Sequence, residues 1–339
     1  MEVRLTIIIP TFNRSHWLEK SLKLLNGSRE SFSIHVIDGG NDESKSENQK
    51  VIERLKNSAI HYFQYQTSLH LGLRIYDALK GVRTPYVLIW PDDDFLVARN
   101  LNEIIDFLDQ NKDYSAALGK VLCLTRWDKI KSIFPRTSFY LLNHLRYSPS
   151  VVDDSPLRRM ITYFLLTRLG GMPLFYSVRR TDQLLAGFRE INGDTKYSVM
   201  ELILNSLCLI DGKVKCFDFL FGFRNYASKP TDCVLREDQE SYFPAEQLAH
   251  AKKVVTKRFE RSGLTTEEAS FAFDQVVKAP YNPSNYTLSH GTSVEASYKF
   301  YRLYRNAQMA CDFLGLDWMR LVYGFSSADY RELKKILLK

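Results

Sequence analysis

Three consecutive carboxylates, Asp92, Asp93 and Asp94, follow the short apolar run Tyr86-Val87-Leu88-Ile89-Trp90 after the single residue Pro91. Like charges a few Å apart at the rim of a buried strand raise one another's pKa and destabilise the fold unless a cation joins them. A hard divalent ion, Mg2+ or Mn2+, suits carboxylate oxygens and is commonly shared with the phosphates of a ligand. The competing reading is an acidic cluster capping the helix that begins near Leu101. Asp38 ends a second apolar run and opens the turn-rich loop Asp38-Gly39-Gly40-Asn41-Asp42. There it could accept hydrogen bonds from a nucleobase or ribose, or simply brace the local backbone. Glu201 is the lone carboxylate among Val199, Met200, Leu202, Ile203 and Leu204. An ionised group is awkward on such a face without a partner or a task; stabilisation by the helix dipole is its simpler explanation.

The elements that must position these groups are legible in outline. Residues 3–9 are rich in β-branched side chains and stop at Pro10, which predicts a buried strand. Asn13 is placed to cap a helix on which Trp17, Leu18, Leu22 and Leu25 recur until Gly27. Strands are expected at 33–37, 60–65 and 86–90, with helices at 46–56, 71–79 and 101–110 between and after them. Strand and helix alternating at this pace predict a doubly wound α/β sheet with its ligand at the carboxyl ends of the strands. Residues 126–167 mix aromatic, basic and Pro residues without clean periodicity. Beyond them a strand is expected at 174–178, a helix at 198–210 and a strand at 213–217. After about residue 240 the pattern is helical only, at 245–261, 265–277, 294–314 and 328–338, with a break at 281–291. The expected division is therefore 1–235, with halves of about 1–125 and 126–235, followed by a helical subdomain over 240–339.

Composition sets the bounds. The 339 residues are 45% hydrophobic and 25% charged, which is globular rather than disordered or fibrous. The net charge of +7 is concentrated: residues 126–180 hold ten Lys and Arg against three Asp and Glu, a surplus equal to that of the whole chain. No run approaches the ~18–20 apolar residues of a membrane span, and residues 1–10 lack the basic and apolar regions of a signal peptide. Five scattered cysteines without a C-x-x-C pair fit free thiols in a reducing cytoplasm. Lys334, Lys335 and Lys339 could meet an anionic membrane surface, so a location peripheral to the inner face of the membrane stands beside the plainly cytoplasmic one.

Taken together, three segments resemble a known family. Thr6-Ile7-Ile8-Ile9-Pro10-Thr11-Phe12-Asn13-Arg14 is similar to the opening strand and loop of family 2 nucleotide-sugar glycosyltransferases, which have the GT-A fold. The second strand into Asp38-Gly39-Gly40-Asn41-Asp42 resembles that family's D-D-G-S-x-D loop. Asp92-Asp93-Asp94 resembles its D-x-D metal site. The resemblance implies a Rossmann-like, doubly wound mixed sheet. It implies donor binding by Pro10, Thr11, Phe12, Asn13, Arg14, Asp38, Asp92 and Asp93, and a Mn2+ or Mg2+ ion on Asp92 and Asp94 that meets the donor diphosphate. More faintly, 170–180 resembles the acceptor-side segment, with Arg179 and Arg180 as candidates for an anionic acceptor or the donor phosphates. Arg146, Arg158, Arg159 and Arg168 join them as candidates from the basic block. Glu201, ahead of Gly212-Lys213-Val214, stands where the family has its general base.

The departures are specific. Gly39 replaces the second Asp of the D-D-G-S loop, Leu202 follows Glu201 where the family has Asp, and Arg224 stands near the place of a metal-site His. Arg could neutralise a diphosphate bidentately but cannot ligate a metal. The resulting expectation is a metal-dependent, inverting transfer from a nucleotide-diphosphate sugar to a hydroxyl of a glycan or glycolipid, in surface polysaccharide or glycolipid synthesis, with no nucleic-acid partner. A sugar nucleotidyltransferase is the first alternative, but it would carry a Gly-rich basic loop after the first strand, which Pro10-Thr11-Phe12-Asn13 is not. A non-catalytic glycan-binding or scaffold protein on the same fold is the second.

Overall fold

The structure is a computed structural model describing residues 2–28, 31–126, 140–146, 150–167, 174–225 and 243–278, with positions 328 and 331. Apart from those two positions, the helices expected at 294–314 and 328–338 lie outside the described residues. So do the break at 281–291, the boundary near 235–240, residues 170–173, Arg168, the side chain of Arg146, and Lys334, Lys335 and Lys339.

The apolar runs of the N-terminal half form four strands, β1 (Leu5–Thr11), β2 (Ser33–Asp38), β3 (Ile60–Gln64) and β4 (Tyr86–Ile89). Helices α1 (Ser15–Asn26), α2 (Asp42–Leu55) and α3 (Leu71–Gly81) connect them. The short strand β5 (Phe95–Leu96), helix α4 (Leu101–Gln110) and strands β6 (Tyr114–Arg126) and β7 (Tyr140–Arg146) follow. Then come α5 (Pro156–Thr167), β8 (Val178–Arg180), α6 (Thr181–Phe188), α7 (Tyr197–Asp211), β9 (Lys213–Asn225), α8 (Ala245–Arg261) and α9 (Thr266–Lys278). One mixed sheet has the order β3-β2-β1-β4-β8-β6-β9-β5, with β7 paired to β6. β1 lies parallel between β2 and β4, and β8 is antiparallel to both of its neighbours.

Burial explains the pattern. Ile7, Ile8, Ile9, Val87 and Leu88 are fully enclosed, and α1 turns Leu18, Leu22 and Leu25 onto them. Each such side chain contributes about 1.5–3 kcal/mol of hydrophobic stabilisation. Beyond residue 240, α8 adds Ala251, Val254, Val255 and Phe259 to the same continuous core, and α9 adds Ala269, Ala272 and Phe273. Arg258 of α8 grips Asp211 at the end of α7 through two bonds of 2.6 and 2.7 Å.

Three local expectations need correction. Asn13 does not cap α1: its φ is +54°, a left-handed conformation that Asn tolerates, and its Oδ1 accepts the Asn41 N–H at 2.8 Å. Asn41 in turn caps α2 by accepting the Ser44 N–H at 2.9 Å, so that helix starts at Asp42 rather than 46. Residues 174–178 do not extend as one strand. The Leu174 carbonyl accepts from Ser177 Oγ at 2.6 Å and from Arg179 Nη2 at 3.0 Å, which closes a 3-10 turn over Leu174–Tyr176 ahead of β8.

Much of the described basic surplus is turned inward. Arg159 donates to the Leu209 and Ile210 carbonyls near the end of α7. Arg179 donates to the Leu204 and Leu174 carbonyls and to Asn205. Arg180 donates to the Leu108, Asn111 and Tyr114 carbonyls at and beyond the end of α4. Cations at helix C-termini satisfy carbonyls that have no helical partner. Replacing Arg180 by Met should therefore lower stability by about 2–4 kcal/mol in urea unfolding, because buried carbonyls lose their donors. It should leave the turnover of the folded protein unchanged.

Candidate functional site

β1, β2 and β4 all point their carboxyl ends to one edge of the sheet. Thr11 pairs with Asp38 across β1 and β2, and Ile8 pairs with Ile89 across β1 and β4, so the register carries Thr11 level with Asp92. Thr11 Oγ1 donates to Asp92 Oδ2 at 2.7 Å. Arg14 Nη1 donates to Asp93 Oδ2 at 2.7 Å and lies 3.4 Å from Asp92 Oδ1. Asp92, Asp93 and Asp94 are all buried. Burial first, and then the charge of Asp93, pushes the Asp92 carboxyl up to about 7 against the opposing pull of Arg14 and Thr11.

This has a sign for stability. A carboxyl raised in the folded state holds its proton where the unfolded chain has lost it. Asp92 therefore stabilises least at high pH, and its contribution falls as pH rises from about 4 to about 7. His35 acts oppositely: burial, and then the charge of His61, lowers its pKa to about 4. Its contribution is lost as pH falls from about 6.5 towards 4. The difference in melting temperature between wild type and Asp92→Asn, measured without divalent ions, isolates the first effect. It should move against the wild type as pH rises from 4 to 7.

Asp38 is fully buried, and its oxygens are held from three directions. The Gly40 N–H donates to Oδ1 at 2.7 Å, while Asn48 Nδ2 and the Tyr62 hydroxyl donate to Oδ2 at 2.7 and 2.6 Å. This arrangement braces the Gly39-Gly40 turn against β3 and α2. A Cβ at Gly39 would fall on the Arg74 guanidinium, so any larger residue here would displace it. Arg74 is buried, donates from Nη1 to the Thr11 carbonyl at 3.3 Å, and lies 5.9 Å from the centre of the Phe12 ring. Sequence reasoning missed Arg74, Asn48 and Tyr62. The available signal was a charged residue beside Ile75, Ala78 and Leu79 on the inward face of α3.

The second half of the site comes from β9, the Leu174–Tyr176 turn and α7. β5 pairs antiparallel with β9, Phe95 opposite Phe223, and continuing that register sets Asp94 beside Arg224. Asp94 Oδ1 accepts the Asn225 N–H at 2.8 Å. Burial opposes the Arg224 charge, but Asp94 and then Tyr176, Tyr197 and Glu201 outweigh it, and its pKa rises above that of an ordinary arginine. The guanidinium lies 5.8 Å from the centre of the Tyr176 ring. Trp90 packs edge-on against both Tyr176 and Phe221, and Gly222 lets β9 pass because a Cβ would come within 2.6 Å of the indole. The Tyr176 and Tyr197 hydroxyls are 2.5 Å apart. Tyr197 donates to Glu201 Oε1 at 2.9 Å. A chain of contacts therefore runs from Asp94 to Glu201.

Two residues expected at the site are elsewhere. β8 runs antiparallel to β4 with Arg179 opposite Val87 and Arg180 opposite Tyr86, alongside the start of β4 rather than its carboxyl end. Their guanidinium groups are occupied by the carbonyls described above. Arg179 and Arg180 are corrected from acceptor or phosphate ligands to internal braces. Among the described residues no three His, Cys, Asp or Glu side chains converge as a ready metal cage.

Residues 6–164, the stretch holding both acidic strand ends, match the model of glycosyl transferase family 2. The chain carries a family 2 glycosyltransferase domain. This glycosyltransferase also superposes on solved structures over nearly its whole length. Against S. aureus TarS 1-349 the TM-score is 0.57 at 12% identity, covering 98% of this chain and 90% of that one. The same protein in complex with UDP-GlcNAc gives 0.56 at 12% identity over 98% and 91%, and in complex with UDP 0.56 at 13% identity over 99% and 87%. At such identity the likeness is one of fold, and the fold is GT-A. No curated protein matches the chain by sequence. Among the described residues of the glycosyltransferase, no helix is long and apolar enough to cross a membrane.

Proposed function

We propose that this glycosyltransferase transfers a sugar, with inversion, from a nucleotide-diphosphate sugar to a hydroxyl of a glycan or glycolipid, assisted by a divalent cation. The observation that carries the reading is the convergence of Thr11, Arg14, Asp38 and Asp92–Asp94 on one edge of the sheet, joined through Arg224 to Glu201. TarS in complex with UDP and with UDP-GlcNAc supports a nucleoside diphosphate sugar as donor.

The residues present fit a hard cation. The Asp92 and Asp94 donor set is all oxygen, and the burial and the Asp93 charge that raise the Asp92 carboxyl are what a bound cation would offset. Mg2+ or Mn2+ is commonly held by one or two carboxylates plus ligand phosphates, so a preformed three-ligand cage is not needed. When bound on Asp92 and Asp94, the ion supplies charge neutralisation for the diphosphate leaving group.

The chain's own groups do the rest. The loop of Pro10, Thr11, Phe12, Asn13 and Arg14, braced through Arg74 and Asp38, receives the nucleoside. Asp93 holds Arg14 in place. Arg224 offers a planar cation to the departing diphosphate. Glu201 takes the proton of the acceptor hydroxyl from the face opposite the leaving group, as an inverting displacement requires. Incubation with a panel of nucleotide sugars and Mn2+, with and without oligosaccharide acceptors, tests the reading through released nucleoside diphosphate. Release of the nucleotide with inverted anomeric configuration in the product is expected. No release from any donor, together with no metal-dependent nucleotide binding, would sink it.

A further inference from the structure

Tyr176 falls within the 170–180 segment but has no assigned role there, and Tyr197 lies outside every motif of the family resemblance, yet the pair occupies the space between the two working ends of the site. Tyr197 sits one helical turn before Glu201 on α7, the spacing at which side chains on one face meet. Its single hydroxyl proton goes to Glu201 Oε1 at 2.9 Å, so in the 2.5 Å contact between the phenols Tyr176 must be the donor. The chain is thereby oriented: Tyr176 donates to Tyr197, and Tyr197 donates to Glu201. Successive hydrogen bonds of this kind polarise and strengthen one another in a buried setting. Both phenols are held well above their ordinary pKa, by burial first, and remain donors across the working pH range. Tyr176 in turn is fixed by Trp90 and by the Arg224 guanidinium over its ring, and Phe175 packs edge-on to Tyr197.

We infer that Tyr197, itself aimed by Tyr176, is a positioning residue that holds the Glu201 carboxylate at a fixed angle and ties it to Arg224 on the diphosphate side. A glutamate has three side-chain torsions to restrain, and a general base works only within hydrogen-bond reach of the proton it takes. One oxygen pinned by Tyr197 restrains the orientation of the other. The inference rests on Glu201 being the base, as proposed above.

The test is a double-mutant cycle between Tyr197→Phe and Glu201→Gln, with Tyr176→Phe as the outer variant. Each is assayed for transfer kcat, donor KM and binding of the nucleoside diphosphate with Mn2+. Tyr197→Phe should lower kcat roughly 10- to 100-fold, the scale of a misplaced catalytic group, with donor KM and nucleotide affinity within about twofold. Tyr176→Phe should show the same split with a smaller loss, roughly 3- to 10-fold, since it removes only the outer bond. In the Glu201→Gln background Tyr197→Phe should cost no more than about twofold further, because it acts through Glu201. An unchanged kcat for Tyr197→Phe, or the same multiplicative loss in both backgrounds, overturns the positioning role while leaving the base assignment intact. Full transfer by Glu201→Gln alone overturns the base assignment, and this inference with it.

Discussion

Glu201→Gln should reduce transfer by about 10²- to 10⁴-fold, the range over which a positioned general base contributes, while binding of the nucleotide sugar stays within about twofold of wild type. Gln keeps the length of the side chain and an oxygen that still accepts from Tyr197, so the contact at 2.9 Å survives the change. Only basicity is removed. The two measurements must be read together. A fall in kcat with unchanged donor affinity places the loss in the chemical step with acceptor. A parallel fall in nucleotide binding would instead mean that Glu201 supports the donor pocket through the Tyr197–Tyr176–Arg224 connection. Transfer at the wild-type rate would remove Glu201 from the reaction altogether. Burial alone does not account for this carboxylate: α7 encloses Val199, Met200, Ile203 and Leu204 while leaving Glu201 partly accessible at the site side.

The meeting of the two acidic strand ends was legible in the sequence because its geometry is local. Parallel strands in a doubly wound sheet all present their carboxyl ends to one rim, so an apolar run followed by Asp38 and another followed by Asp92 announce their meeting before any coordinate is known. Asp94 and Arg224 lie 130 residues apart, and their meeting depends on the register of β5 against β9. Counting along the chain pointed to Arg224, but β9 shifts register against β6 between Cys216 and Gly222, and each one-residue shift turns the side chains that follow to the other face, which no count reveals. Tyr176 and Tyr197 carried no signal beyond the four-residue spacing from Tyr197 to Glu201, since aromatics are most often core. The basic block misled for a physical reason. Charge counts a guanidinium but not the direction it faces, and a mixed sheet with β8 reversed between β4 and β6 turned Arg180 toward the carbonyls at the end of α4 and Arg179 toward the Leu174 and Leu204 carbonyls and Asn205. The same blindness hid Arg74, whose guanidinium occupies the volume that Gly39 leaves empty.

Asp94→Asn should weaken metal-dependent binding of the donor by about 100-fold or more, since a hard cation loses one of its charged oxygens, at a smaller cost in stability than Asp94→Ala. The choice of Asn matters. Asp94 Oδ1 accepts the Asn225 N–H at 2.8 Å and anchors the end of β9, and an amide oxygen in that position can accept the same bond. Asp94→Ala removes both functions. Both variants take the carboxylate away from Arg224, but Ala also leaves a buried N–H without its acceptor, at about 1–3 kcal/mol, so Ala should depress the melting temperature further than Asn. Asn does remove the leading negative charge beside Arg224, which without metal should raise the affinity for nucleoside diphosphate slightly. The diagnostic is thus a divergence: binding of nucleoside diphosphate measured with Mn2+ falls steeply in Asp94→Asn, and binding measured with EDTA holds or rises. If the two conditions change together, the carboxylate acts through the fold of the β5–β9 edge and not through a cation. If binding with Mn2+ is unaffected, the ion must be held by Asp92 and the phosphates without Asp94.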